Sequence, residues 1–394
     1  MKVLRVIPTM NPISGGPCQG IRNSIPELKK LGINTEVVCL DDNNASFLEN
    51  ESFVIHALGF SKGPWQYNKN LKKWLRANIS KYDCIIIHAL WLYHGFAVYK
   101  IINEIENSGK DRTKYFVMPH GMLDPYFQKA ETRKFKAIRN VIYWKLIEAR
   151  IINGASGVLF TCEEEMNLAK TTFHPYHPKL ELNVGYGIAP APLKEYLNLN
   201  NEQEPQPYFL FLSRIHPKKG IELLIDGYVE IVHENINCDL PNLVIAGPGL
   251  ETTYGKKLFD SIQQNLLIKN KIIFPGMLNG NKKWETIYNC EAFILPSHQE
   301  NFGIAVAEAL SCGKAVLISD KVNIWREIQA ENAGIVESDS KEGVKKLLNK
   351  WISLSNDEKK RMGESAYNCF TSKFTIEKAA AKMHSTITNI INTK

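Results

Sequence analysis

The sequence predicts an α/β protein of two doubly wound, parallel-sheet units, and three observations carry that prediction. First, an apolar strand at Lys2 to Ile7 runs into a loop ending Ser14-Gly15-Gly16, a helix from about Gln19 to Leu31 closed by Gly32, and a strand at Thr35 to Leu40. This is one βαβ unit, whose strands are parallel under the usual right-handed crossover. Second, the pattern restarts at Tyr208 to Ser213, which leads through a basic loop into a helix from Ile221. Third, 394 residues exceed one ordinary core. The polar, Pro-containing stretch Leu197 to Pro207 reads as the linker between a unit at 1–196 and a unit at 208–374.

Composition bounds the class. Apolar content of 44% and charged content of 23% are those of a soluble globular chain. The opening MKVLRVIPTM is interrupted by Arg5 and lacks the apolar core of a signal peptide. The longest apolar run, Cys84 to Tyr93, contains His88 and is too short to span a bilayer. Eight cysteines with no CxxC pair and no histidine at zinc spacing read as reduced thiols, which points to the cytoplasm. A net charge of +7 suits an anionic ligand such as a nucleotide, or an anionic membrane surface. No nucleic-acid module or solenoid repeat is visible.

In the first half, Gly15 and Gly16 would let main chain approach a diphosphate at the carboxyl end of the first strand, where ligands bind in such sheets. Strands follow at Cys84 to His88, Tyr115 to Met118 and Gly157 to Phe160. His88 and His120 both fall at strand ends. His88 reads as a satisfied structural group, whereas His120 sits in the string Pro119-His120-Gly121-Met122-Leu123-Asp124-Pro125. Lys129 to Arg150 is a basic helical stretch with Phe135, Ile138, Ile142, Tyr143 and Leu146 at near-helical spacing. It reads as an amphipathic helix packed on its own sheet, or alternatively as a helix lying on an anionic leaflet.

In the second half, Arg214 and Lys219 straddle a helix start in Arg214-Ile215-His216-Pro217-Lys218-Lys219-Gly220, a fork and a point charge placed to neutralise a diphosphate. Asn242 to Ala246 is a strand ending in Gly247-Pro248-Gly249, and Ile272 to Phe274 another ending in Pro275-Gly276-Met277. Ala292 to Leu295 then leads to the stretch Pro296 to Ser319, a polar turn carrying Glu300, a helix from Ile304 to Leu310 and a strand from Ala315. Glu308 is the one charge on that apolar helix and requires a partner.

The spacing of Glu300-Asn301-Phe302-Gly303 and Glu308 resembles the E-x7-E signature of retaining glycosyltransferases of the GT-B fold, most closely family 4. Arg214 to Gly220 resembles that family's R-x4-K-G motif, and the segment around His120 a subset that builds bacterial surface polysaccharides. The resemblance implies two Rossmann-like domains facing across a cleft: an acceptor-side domain completed by the helix at about 375–394, and a C-terminal domain for the nucleotide sugar. It implies that Arg214, Lys219, Gly15, Gly16, Gly303 and Ile304 hold the donor diphosphate, and that Glu300, Asn301, Phe302 and His120 lie by the donor sugar. Glu300 and His120 are then the catalytic candidates, Glu308 binds the ribose, and Gly247 and Met277 lie on the base side. Tyr186-Gly187-Ile188-Ala189 stands where the family carries an Asn-Gly turn, so no ligand contact is carried onto it.

The activity implied is retaining transfer of a sugar from a UDP- or GDP-linked donor to a glycan or lipid-linked acceptor in polysaccharide synthesis, at the inner face of the cytoplasmic membrane. Asp41-Asp42 lacks the spacing of a metal-holding Asp-x-Asp, so Arg214, Lys219 and main-chain amides are expected to stabilise the leaving group without a metal or other cofactor. No nucleic acid is expected. A sugar-nucleotide 2-epimerase of the same fold and a non-catalytic nucleotide-sugar-binding partner are the alternatives.

Overall fold

A computed structural model describes residues 1–49, 51–109, 113–130, 133–197, 206–235 and 240–393. They form two compact units. Unit 1 comprises Met1–Gly187 with Ile376–Lys394, and unit 2 comprises Ile188–Thr375. The chain passes to unit 2 at Ile188 because that segment is already bonded there: Ile188 N donates to Phe374 O, and the Tyr288 hydroxyl donates to Pro192 O. The linker expected at 197–207 falls largely on 198–205, outside the described residues.

Unit 1 holds a parallel sheet of β1 (Lys2–Val6), β2 (Asn34–Cys39), β3 (Ile55–Ala57), β4 (Cys84–His88), β5 (Lys114–Met118), β6 (Gly157–Phe160) and β7 (Glu181–Asn183). The order is β3-β2-β1-β4-β5-β6-β7. Both faces of such a sheet are covered by crossover helices, so its strands read as nearly unbroken apolar runs. Alternation along each strand sorts the core in two. Leu4, Val6, Ile85, Ile87 and Val117 face one layer, packed around Trp144 and Tyr115. Val3, Cys84, Ile86, Phe116 and Met118 face the other, covered by Leu28 of the helix Gly16–Lys30 and by Ala380, Met383 and Ile387 of the helix Ile376–Asn392. That final helix buries its apolar stripe on this otherwise half-covered sheet face.

Unit 2 holds a second parallel sheet of β8 (Tyr208–Leu212), β9 (Asn242–Ala246), β10 (Ile272–Gly276), β11 (Ala292–Leu295), β12 (Val316–Ser319) and β13 (Gly334–Glu337), in the order β10-β9-β8-β11-β12-β13. The two sheets are the Rossmann-like pair of the GT-B fold. In each, the strand order reverses beside the first strand: between β1 and β4, and between β8 and β11. The carboxyl ends of the strands at such a reversal are where doubly wound sheets take ligands.

The seven cysteines among the described residues form no disulfide and are buried. Among those residues, no helix is long and apolar enough to cross a membrane.

Candidate active site

In unit 2, the loop leaving β8 is pinned to the loop leaving β11. Gly220 has a left-handed backbone, and a Cβ on it would lie 2.0 Å from Pro296 O, so only glycine lets the two loops close. Below it, His298 N donates to Lys218 O at 2.9 Å. Lys219 closes a short 3-10 turn capped by His216, whose Nδ1 accepts from Lys218 N at 3.1 Å. This delivers the buried Lys219 ammonium to the Glu300 carboxylate as an ion pair. The main chain of Glu300 is itself held, its N–H donating to Lys321 O and its C=O accepting from Asn323 N.

Arg214, on the same loop, is exposed and makes no ion pair among the described residues. A second cation is thus available beside the first. Gly303 adopts φ 77° and opens the helix Ile304–Ser311 with no side-chain cap, leaving its first amides to another acceptor. Glu308 finds the partner that its apolar helix demands in Lys283, 2.9 Å away on the helix Gly280–Asn289. The Phe302 ring is buried edge-to-face on Phe374, so only its main chain faces outward chemistry. Asn301 and Ile304 are half-buried beside it. Gly247 N is committed to Gly276 O, and Met277 follows that strand end with its side chain 64% exposed.

In unit 1, Gly15 caps the helix Gly16–Lys30 and Gly16 O accepts from the Tyr186 hydroxyl at 3.1 Å. Tyr186 is therefore a prop under the glycine loop. His120 has φ 54°, and its Nε2 lies 2.8 Å from His88 Nδ1. Burial pushes His120 down to about 3 and His88 well below its ordinary value, so both rings are neutral at pH 7.

Three residues of these two places were not visible to sequence reasoning. Glu165, buried, accepts from Gly121 N at 2.5 Å with one oxygen and from Thr161 N and Oγ1 with the other, and so fixes the turn that presents His120. Lys283 is the counter-ion of Glu308. Arg5 lies buried under the histidines. Only Arg5 left a signal, as the charge interrupting the first strand. Among the described residues, no group of three or more His, Cys, Asp or Glu stands close enough to hold a metal ion.

Residues 194–369 match the family model described as glycosyl transferases group 1. The matched span lies in unit 2 and includes the cation-carboxylate pair at the β8/β11 reversal. Along its length the chain is similar to lipopolysaccharide 1,2-N-acetylglucosaminetransferase of Salmonella typhimurium, 23% identical over 98% of this chain and 99% of that one. An uncharacterized glycosyltransferase of Methanocaldococcus jannaschii is 31% identical, but over 34% of this chain and 32% of its own. Among solved structures, the sucrose-phosphate synthase of Thermosynechococcus elongatus superposes with a TM-score of 0.74 at 16% identity, covering 100% of both chains. The Anabaena protein HepE in complex with UDP and glucose does so at 0.68, with 16% identity over 98% of this chain and 99% of that one. These share the fold.

Proposed function

We propose that this chain is a retaining, metal-independent glycosyltransferase that moves a sugar from a nucleoside-diphosphate donor to a glycan or lipid-linked acceptor in surface-polysaccharide synthesis. The observation that carries the reading is the Lys219–Glu300 pair at the β8/β11 reversal, with Arg214 free beside it and the helix start at Gly303 uncapped. Departure of a nucleoside diphosphate builds negative charge. Two cations and an uncapped helix start are a suitable place for that charge, and Lys219 can shift part of its bond from Glu300 to a phosphate oxygen.

On this reading Glu300 orients the donor sugar and Glu308 takes the ribose hydroxyls in exchange for Lys283. His120 is a neutral hydrogen-bonding group for the sugar. Transfer on the face from which the diphosphate leaves retains the anomeric configuration, with a phosphate oxygen taking the acceptor proton. The full-length similarity to a lipopolysaccharide N-acetylglucosaminyl transferase makes UDP-N-acetylglucosamine the first donor to try, and fold neighbours solved with UDP agree with that base.

A peripheral membrane contact has its own support. The basic helix does not bury the stripe expected to pack on its sheet: Phe135, Ile138, Ile142 and Leu146 are exposed, interleaved with Lys134, Lys136, Arg139 and Lys145. Apolar anchors flanked by cations are what an anionic lipid surface or an amphiphilic acceptor would attract.

The test is thermal shift of the purified chain against UDP, GDP, ADP and their sugar conjugates, with and without EDTA, followed by acceptor-dependent turnover of the best donor. One nucleotide raising Tm regardless of EDTA, and weaker in Glu308→Ala, is the expected result. A folded chain that no nucleotide shifts, or one that interconverts the donor without any acceptor, would overturn the reading.

A further inference from the structure

Arg5 is a buried charge in unit 1 that the proposed function does not use. It sits on β1 with its side chain on the Val3 face, 2% exposed, beneath the helices Gly16–Lys30 and Ile376–Asn392. No carboxylate among the described residues pairs with it. Its Nη2 donates to the thioether of Met383 at 3.3 Å, a weak acceptor, and its Nε has no partner at all. A guanidinium taken from water into an apolar interior is expensive unless an anion accompanies it. Burial accordingly pushes Arg5 down to about 10.

Arg5 lines a cavity of about 30 Å³ together with His88, His120, Ile21, Met118, Tyr186, Ala380 and Met383. The histidines supply its other polar groups. His88 Nδ1 faces His120 Nε2, so in the tautomer where His88 Nδ1 accepts, its Nε2 carries the proton; that buried nitrogen also has no partner. In that tautomer the cavity offers one fixed positive charge, one unspent N–H on the guanidinium and one on the His88 imidazole.

We propose that this cavity in unit 1 is a halide site, in which the Arg5 guanidinium and the His88 imidazole hold a chloride-sized anion. Size excludes larger occupants. About 30 Å³ is more than the roughly 10–15 Å³ that one water requires, but drug-sized ligands and sugars need pockets of several hundred Å³. Water alone would satisfy hydrogen bonds without neutralising the charge. His120 lines the cavity and is also assigned to the donor sugar, but the two groups that hold the anion, Arg5 and His88, take no part in the proposed transfer.

The test compares the full chain in chloride, bromide, phosphate and gluconate salts at equal ionic strength. Chloride and bromide should raise Tm saturably over gluconate, by about 2 °C or more when the site fills. Arg5→Met, which matches its apolar surroundings, should abolish the difference. Crystals grown in bromide should show an anomalous peak beside the Arg5 guanidinium, a readout that remains should Arg5→Met not fold. Equal Tm in halide and gluconate, a halide effect that survives in Arg5→Met, a rise with phosphate only, or no anomalous peak at Arg5 would each overturn the assignment.

Discussion

The Lys219 ammonium, carried by the loop after β8, is ion-paired with the Glu300 carboxylate, carried by the loop after β11. The two residues are 81 positions apart in sequence and are joined because β8 and β11 are neighbours in the sheet. Each stands to lose its partner when the other is removed. Lys219→Met should weaken donor binding by about tenfold to a hundredfold, the usual worth of a charge-assisted hydrogen bond. Glu300→Gln should lower kcat, and the double variant should cost less than the sum of the singles because the two groups share one interaction. Titration calorimetry with UDP and turnover of the best donor read both. A Glu300→Gln chain with a native rate would end any role for its charge.

Glu308 and Lys283 allow a sharper separation. If Glu308 serves the ribose, Glu308→Ala loses about tenfold in nucleotide affinity, while Lys283→Met, which leaves the carboxylate in place, loses less. Equal losses would mean that the pair is only a brace for the helix Ile304–Ser311.

Glu165 accepts three hydrogen bonds in a buried setting, two from main-chain amides. Glu165→Ala strands those donors and should destabilise unit 1 by about 2–4 kcal/mol. Urea unfolding checks this. A change under about 1 kcal/mol would show that water replaces the carboxylate.

The buried Glu148 accepts from Trp91 N at 3.1 Å, and burial pushes its carboxyl up to about 8 from an ordinary 4.5. The folded chain therefore keeps a proton that the unfolded chain has already lost, so this group's contribution to stability falls as pH rises from about 4.5 to about 8. Glu148→Gln keeps an acceptor for Trp91 without titrating. It should exceed the native chain by about 1 kcal/mol or more at pH 8, and the gap should shrink toward pH 5.

The histidines act in the opposite sense. Burial holds His94 down at about 4 and His120 at about 3, below the ordinary 6.5. Their contribution is complete above about pH 6.5 and is lost as pH falls through 6.5 toward 4 and 3, because the unfolded chain then binds protons that the folded one refuses. His94, whose Nε2 already bonds His88 O, is the cleaner probe. His94→Asn should flatten the loss of Tm between pH 6.5 and pH 4.5.

Most of the fold was legible because its signals are local. The βαβ run at Lys2 to Leu40, the strands at Cys84, Gly157, Asn242 and Ala292, and the helix stop at Gly313 each depend on residues close in sequence, where apolar runs and turn formers suffice. Short edge strands were not legible. β3, β7 and β13 are three or four residues long, half-buried, and exist because a neighbouring strand offers unpaired amides. The basic helix departs from its expected packing for a related reason, since Phe135 to Leu146 has the spacing of a buried stripe and only the sheet's other covering decides whether it is buried.

The same division runs through the site. The sequence by itself determined that Arg214, Lys219, Glu300 and Glu308 exist at spacings suited to a diphosphate beside a helix start, because those relations lie within single loops and turns. Only the tertiary structure decided that Lys219 is spent on Glu300, that Lys283 answers Glu308, that Glu165 fixes the His120 turn, and that Arg5 is left buried without an anion. Those are relations across 25 to 378 residues and between separate elements. Local propensity carries no information about them, because the sheet order that brings these side chains together is set by the burial of the whole unit.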